Sequence, residues 1–209
     1  MSRPFRFKQF EIVQEKTPMK VGTDGVLLGA WADGGRRILD VGTGTGLVAL
    51  MMAERFPEAD VVGIDICDDA VEEATYNVSL SPFCGRVKIR KGDFREMAGG
   101  ERFDAIVCNP PYFENSLKCP AKGRSMARHS DTLSIEELVC GARNILGDGG
   151  VLSIVMPFTV MDEAVGYGKM YGFKVARMMK VRGNADSEWK RVLICLEVTD
   201  GEREYEMEE

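Results

Sequence analysis

The sequence predicts a doubly wound α/β fold, a mostly parallel sheet covered by helices on both faces. Three observations predict it. From Arg37 onward, short β-branched runs alternate with segments of helical period. The first such run ends in a glycine-rich turn, "DVGTGTG", before the first helical segment begins. At 209 residues and 44% hydrophobic composition, the chain is long enough for one sizeable core and too short for two comfortable domains.

The elements follow in order. "RILDVG" is a strand ending in glycines, "LVALMMAERF" a helix, "ADVVGID" a strand and "DDAVEEATYNVSL" a helix opened by Asp capping residues. Next come the strands "RVKIRKGD" and "FDAIVCN", the helix "SIEELVCGARNIL" with Ser134 as N-cap, and the strand "GVLSIVMP". Beyond Pro157 a helix over "VMDEAVGYGKM" precedes the strands "FKVARMMKV" and "RVLICLEV". Only "RGNADSEWK" separates these last two, too short for a crossover helix, so they pair antiparallel at the sheet edge. The expected sheet has seven strands within residues 37–199. Residues 1–36 form an N-terminal extension containing "MKVGTDGVLLGAWA", and residues 112–133 a loop long enough to be functional.

Composition narrows the function classes. The start, "MSRPFRFKQF", has no apolar h-region, and no later run reaches the roughly 20 residues of a membrane span, so a cytoplasmic location is expected. The six cysteines lie far apart without a C-x-x-C pair, and His129 is the only histidine, which favours buried reduced thiols over a metal site. A formal net charge of −6 argues superficially against nucleic acid, but residues 200–209 hold six acids and one base, net −5, leaving −1 for the body. Such a body can present a basic face, and the acidic tail is expected to be disordered.

Gly42, Gly44 and Gly46 allow tight turning and close approach of a ligand to a helix N-terminus. Their G-x-G-x-G spacing is not the G-x-G-x-x-G that fits a dinucleotide pyrophosphate, which disfavours a nicotinamide dehydrogenase. Asp40 at the strand end repels phosphate but suits an ammonium group, as in S-adenosylmethionine. After the second strand, Asp65, followed by Ile66, is placed to accept from two ribose hydroxyls. Asp93 after the third can meet the adenine amine with Phe94 beside the ring. Each aspartate alone is equally a cap or turn residue. As a series after successive strands they point to one crevice at the carboxyl ends of the sheet.

"CNPPYFEN" follows the fourth strand. Pro110 and Pro111 each fix φ near −65° and keep Asn109 extended, so its side chain is aimed in advance. An aromatic amine is a poor nucleophile because its lone pair is delocalised. The Asn109 side-chain oxygen and the Pro110 carbonyl, accepting from its two N–H bonds, free that pair for attack on a sulfonium methyl. Tyr112 offers a flat face on which a base taken out of its own stack can rest. Asn109, Pro110 and Tyr112 are therefore the candidate catalytic residues, and Asn109 also borders the cofactor. A rigid loop whose Tyr fills the core is the purely structural alternative.

In order, "DVGTGTG", "GID", "KGDF" and "NPPY" resemble the motifs of class I S-adenosylmethionine-dependent methyltransferases that modify a planar amide or amino nitrogen, which implies a Rossmann-like fold. With "FRFKQFEIVQEKTPMKVGTDGVLLGAW" and "ARHSDTLS", the chain is similar to the bacterial tRNA adenine-N6 methyltransferases acting on valine tRNA, almost throughout except the tail. The resemblance implies an adenosine immediately 3′ of the anticodon as target, and closure of the cofactor pocket by Thr23 and Asp24. Protein glutamine, rRNA guanine and DNA adenine methyltransferases carry related Asn-Pro-Pro-aromatic segments. The choice of substrate therefore falls to residues outside that segment.

Lys118, Lys122, Arg124 and Arg128 lie between Asn115 and Ser130 with no acid among them, a basic loop beside the catalytic segment suited to phosphates or simply solvated. His129 within it is a surface residue or an RNA contact. Arg3, Arg6 and Lys8 alternate with Phe5 and Phe7, as an RNA-contacting arm or as a strand anchored by its phenylalanines.

Overall fold

A computed structural model describes residues 3–17, 20–97, 100–111, 133–201 and 206–209. Five parallel strands form its centre: β3 (Arg37–Val41), β4 (Asp60–Asp65), β5 (Val87–Lys91), β6 (Phe103–Cys108) and β7 (Leu146–Pro157). With β8 (Phe173–Val181), β9 (Arg191–Val198) and β10 (Glu206–Glu208) they make an eight-stranded sheet of order β10-β8-β9-β7-β6-β3-β4-β5. A separate hairpin pairs β1 (Phe5–Arg6) with β2 (Glu11–Ile12).

Alternation along each central strand divides the core in two. Ile38, Val61, Ala105, Val107, Leu193 and Cys195 face helices α1 (Thr23–Trp31) and α2 (Leu47–Arg55). Leu39, Val62, Ile106, Cys108, Ile194 and Leu196 face α4 (Ile135–Ile145) and α5 (Met161–Met170). Adjacent residues point to opposite faces of a strand, so a sheet buried on both sides needs continuous apolar runs like those found here. Ser134 caps α4 in a reciprocal capping box with Glu137, as its spacing predicts. The N-cap of α3 (Asp68–Ser79) is Cys67 and makes no side-chain cap, while Asp68 and Asp69 sit inside the first turn, where they still favour the helix dipole.

Two expectations about the sheet are corrected. The antiparallel strand β9 is not at the edge; it is inserted between β7 and β8, which run parallel to each other on its two sides. Burial explains this: Val192, Leu193, Ile194, Cys195 and Leu196 are inaccessible on both faces, whereas β8 is largely half-buried. The tail is not wholly without structure either. Glu206–Glu208 pairs in parallel with Arg177–Met179 of β8. Glu208 accepts from Trp31 Nε1 at 3.1 Å and lies 3.2 Å from Arg177 Nε. Its charge had suggested solvation, but the open edge of β8 offers unpaired backbone groups, and Arg177 offers a cation.

Helix α1 within the N-terminal extension has no strong amphipathic pattern. It packs closely on α2 because Gly25 and Gly29 share one face: a Cβ on Gly29 would sit 2.6 Å from Met51 Sδ. The chain runs β3, β4, β5 in one direction and then places β6 on the other side of β3, so the strand order reverses between β3 and β6. Open α/β sheets bind ligands at such a switch point, beyond the carboxyl ends of the strands.

Candidate functional site

The β3–β6 register pairs Val41 with Cys108, which sets Gly42 and Asn109, the next residue of each strand, side by side at the switch point. Gly42, Gly44 and Gly46 all have positive φ, at 68°, 55° and 81°, a region closed to most side chains. Gly46 also passes Ala74 of α3 so closely that a Cβ would lie 3.3 Å from that residue's Cβ.

Asp40 is 1% exposed. It braces the glycine loop from beneath, accepting from Thr43 Oγ1 at 2.6 Å and from the Ala49 amide at 3.1 Å. Burial pushes its carboxyl up to about 7 and the neighbouring Asp65 charge adds to the rise, while the bonds from Thr43 and Ala49 oppose it. Asp65 closes the loop from the other side, accepting from the Gly44 amide at 3.0 Å and the Cys67 amide at 2.9 Å. Burial, with the fields of Asp40 and Asp65, holds the Cys108 thiol well above its usual range, so it stays protonated and inert.

Asp93 caps the short 3₁₀ turn Phe94–Glu96 and is clasped by Arg95, whose Nη2 lies 2.6 Å from Oδ2. That guanidinium keeps the Asp93 carboxyl below its usual range. Phe94 is buried against Gly141 of α4, where a Cβ would lie 2.6 Å from its ring. Ile66 is 51% exposed at the rim, an apolar side chain left uncovered beside the three acids and the glycines.

Most of these residues line one cavity of about 610 Å³, within the range of small-molecule and cofactor sites, although Gly46 is not in its wall. Asp40, Gly42, Gly44, Asp65, Ile66, Asp93, Phe94, Asn109 and Pro110 all contribute to its wall. Asn109 is half-buried, and its Nδ2 approaches Gly25 of α1 to 3.7 Å from where a Cβ would stand. Thr23 and Asp24 are not in that wall. Their neighbours Gly22 and Gly25 are, while the Asp24 carboxylate accepts from Arg191 Nε at 2.8 Å. Tyr112, Lys118, Lys122, Arg124, Arg128 and His129 lie outside the described residues.

Arg3, Arg6 and Lys8 are exposed and are not brought to the cavity. Their hairpin is held through Phe10 against Phe83, near the start of β5 and so at the opposite end of the sheet. Arg6 pairs with Glu11 at 2.9 Å, and Phe7 stacks on Phe10 with ring centroids 4.7 Å apart. Anchoring thus accounts for Phe7, whereas Phe5 remains 44% exposed.

Part of the wall was not foreseen from the sequence: Thr17, Lys20, Val21, Gly22 and Gly25 close it from the N-terminal side. They are held there by two polar residues one turn apart on α3. Glu73, 4% exposed, accepts from the amides of Glu15, Lys16 and Thr17. Asn77, fully buried, accepts from the Val13 amide and donates to the carbonyls of Val13 and Thr45, joining the N-terminal segment to the glycine loop. A buried Glu and Asn at i and i+4 of an otherwise apolar face were the available signal. Thr17 is 2% exposed, lines the cavity, and its hydroxyl is without a hydrogen-bond partner among the described residues.

Chemically, the arrangement offers carboxylates for an ammonium and hydroxyl groups, apolar surface for a ring, and an amide side chain at the mouth. No group of three His, Cys, Asp or Glu side chains among the described residues is placed to hold a metal. No described helix is long and apolar enough to cross a membrane.

Comparison with known proteins agrees with this chemistry. Residues 21–170 match the methyltransferase small domain family. The tRNA1(Val) (adenine(37)-N6)-methyltransferase of Bacteroides thetaiotaomicron is 46% identical over 93% of this chain and 84% of its own. Among solved structures, a predicted O-methyltransferase from Agrobacterium tumefaciens superposes with a TM-score of 0.69 at 21% identity, covering 89% of this chain and 86% of its own. A methyltransferase from Pyrococcus furiosus gives 0.63 at 21% identity, covering 90% and 88%.

Proposed function

Since the chain belongs to the methyltransferase small domain family and, within it, to the tRNA1(Val) (adenine(37)-N6)-methyltransferases, we propose that it methylates N6 of adenine 37 in the anticodon loop of valine tRNA, in the cytoplasm. The observation that carries this is the register placing Asn109 and Pro110 beside the glycine loop, on the wall of the cavity that the acids line.

The cavity fits S-adenosylmethionine in volume and in donor set, and the buried Thr17 hydroxyl is free to meet a polar group of it. Asp40 takes the ammonium group, Asp65 the ribose hydroxyls, Asp93 the adenine amine, and Ile66 and Phe94 the ring. Thr23 and Asp24 support the wall from outside it. The cofactor supplies a methyl group made electrophilic by its sulfonium sulfur.

The chain's own residues prepare the target. The Asn109 side-chain oxygen and the Pro110 carbonyl accept from the two N–H bonds of the adenine amine and draw its lone pair out of conjugation. Tyr112 stacks the base. The amine becomes acidic as it gains its substituent, so its proton leaves to water without a strong base. The basic side chains Lys118, Lys122, Arg124 and Arg128, with His129, hold flanking phosphates, and Arg3, Arg6 and Lys8 reach more distant parts of the tRNA.

Purified protein incubated with tritiated S-adenosylmethionine and unmodified valine tRNA, followed by digestion to nucleosides, should yield labelled N6-methyladenosine. No transfer to any tRNA, or transfer to a protein that survives RNase treatment, would overturn the reading.

Asp40 makes cofactor affinity depend on pH. With its carboxyl at about 7 in the ligand-free protein, binding a cation below that pH requires loss of a proton. Affinity should therefore fall about tenfold per unit on the acid side of neutrality. On the alkaline side it falls again as the cofactor's α-amino group, with a pKa of about 8, loses its charge. Calorimetric titration between about pH 5.5 and 8.5 checks this; Asp40→Asn should remove the acid limb and leave the alkaline one.

A further inference from the structure

Given the tRNA substrate proposed above, we propose that the carboxyl end of β8 and the start of β9, with the connection 182–190 between them, form an RNA-backbone contact beside the cavity, built on Lys180, Arg182, Trp189 and Lys190. The topology places it there. Arg191, the first residue of the antiparallel strand β9, pairs with Pro157 at the carboxyl end of β7 and with Val181 at that of β8. The connection thus projects from the same end of the sheet as Asn109. At a strand spacing of about 4.8 Å, β9 lies roughly 10 Å and β8 roughly 15 Å across the sheet from β6. A loop of RNA with one base in the cavity covers that distance within a few nucleotides.

The side chains form an aromatic platform that carries positive charge. The Arg182 guanidinium carbon lies 4.3 Å from the centroid of the Trp189 ring. Lys180 Nζ lies 6.0 Å from the same ring and 5.8 Å from that of Phe158. The ring centroids of Phe158 and Trp189 are themselves 6.5 Å apart, and Lys190, next in the chain to Trp189, is exposed. Among the described residues no ion pair involves Lys180 or Lys190, and Arg182 pairs only with the exposed Glu209, at 3.8 Å. The acids of the connection, Asp186 and Glu188, pair with none of the three.

A close carboxylate cancels a cation's charge, as the exposed Glu209 does only in part for Arg182 at 3.8 Å, whereas an aromatic face fixes the position of a cation and leaves its charge available. Lys180 and Arg182 held over half-exposed rings, with exposed Lys190 next in the chain to Trp189, suit phosphates and the ribose or base faces between them. Merely pinning the connection would need the rings but not two cations over them.

The test replaces Lys180, Arg182 and Lys190 together by Gln, with Lys180→Arg/Arg182→Lys/Lys190→Arg as the charge-retaining control. Filter binding across a salt series measures affinity for unmodified valine tRNA; KM, kcat, S-adenosylmethionine affinity and Tm are measured alongside. The neutral variant should lose about ten- to a hundredfold in tRNA affinity, with a matching rise in tRNA KM. Its log–log salt dependence should flatten by about 0.9 for each phosphate contact removed. Turnover at saturating tRNA, cofactor affinity and Tm should be unchanged, and the control should behave like the wild type. Unaltered tRNA affinity and salt slope would overturn the proposal, as would a loss that comes with lowered Tm or cofactor affinity. Wild-type protein that methylates no tRNA would instead sink the tRNA reading, and this contact with it.

Discussion

Asn109→Ala will lower methyl transfer to tRNA by about a thousandfold while changing S-adenosylmethionine affinity no more than a few-fold. In the proposed mechanism the amine has two acceptors at the end of β6, one the Asn109 side chain and one the Pro110 backbone. Removing one member of a preorganised set of hydrogen-bonding groups costs roughly 10²–10³ in rate, and here the second acceptor alone cannot turn the lone pair out of the ring plane. The substitution leaves Asp40, Asp65 and the glycine loop in place, because their hydrogen bonds run to Thr43, Ala49, Gly44 and Cys67 and not to Asn109. Single-turnover transfer measures the rate and calorimetry the affinity. Asn109→Asp retains an acceptor oxygen but adds a charge that must be desolvated, so it should recover only part of the loss. A rate within tenfold of wild type for Asn109→Ala would contradict the assignment.

Asp65→Ala has the second-largest expected effect, and it falls on binding. The Asp65 carboxylate already accepts from two backbone amides, which fixes both oxygens with lone pairs left over for a ribose diol. Hydrogen bonds to a charged group are worth roughly 1.5–3 kcal/mol each, so losing those to the two hydroxyls should weaken S-adenosylmethionine binding about a hundredfold. The Gly44 and Cys67 amides lose their acceptor as well, so Tm should fall with affinity. At saturating cofactor, turnover should stay within a few-fold of wild type, because Asp65 touches neither the amine nor its acceptors. Affinity within threefold of wild type would remove Asp65 from the ribose site.

The two predictions differ in how directly the sequence supports them. The order of acids after successive strands was legible because each follows an apolar run whose end is marked by Gly or Asp, and a parallel sheet aligns such ends automatically. The rigidity of Asn109 was legible because proline acts on its immediate neighbour. Thr17 was not, since nothing local to "EKTP" says that Glu73 and Asn77, some 60 residues away, will hold it against the glycine loop. Helix α1 was obscured by its glycines, which depress helix propensity yet allow the close approach to Met51 that makes the helix worth forming.

The antiparallel strand and the tail show a related limit. Pairing direction between β8 and β9 follows from the short connection between them, but lateral order in the sheet does not. It depends on which strand is buried on both faces. The tail's own charge favours solvation, whereas its strand is made by an edge and an arginine supplied from elsewhere.

By itself the sequence determined the parallel α/β frame, the glycine loop with its acids, and the stiffened Asn109, because each depends on residues adjacent in the chain or on a period within one element. Only the tertiary structure decided that the N-terminal segment walls the cavity, that the acidic end joins the sheet, and that Lys180, Arg182 and Trp189 gather at the carboxyl end of β8. Those features depend on contacts between distant segments, and their energies exist only once the chain has closed the loops between them.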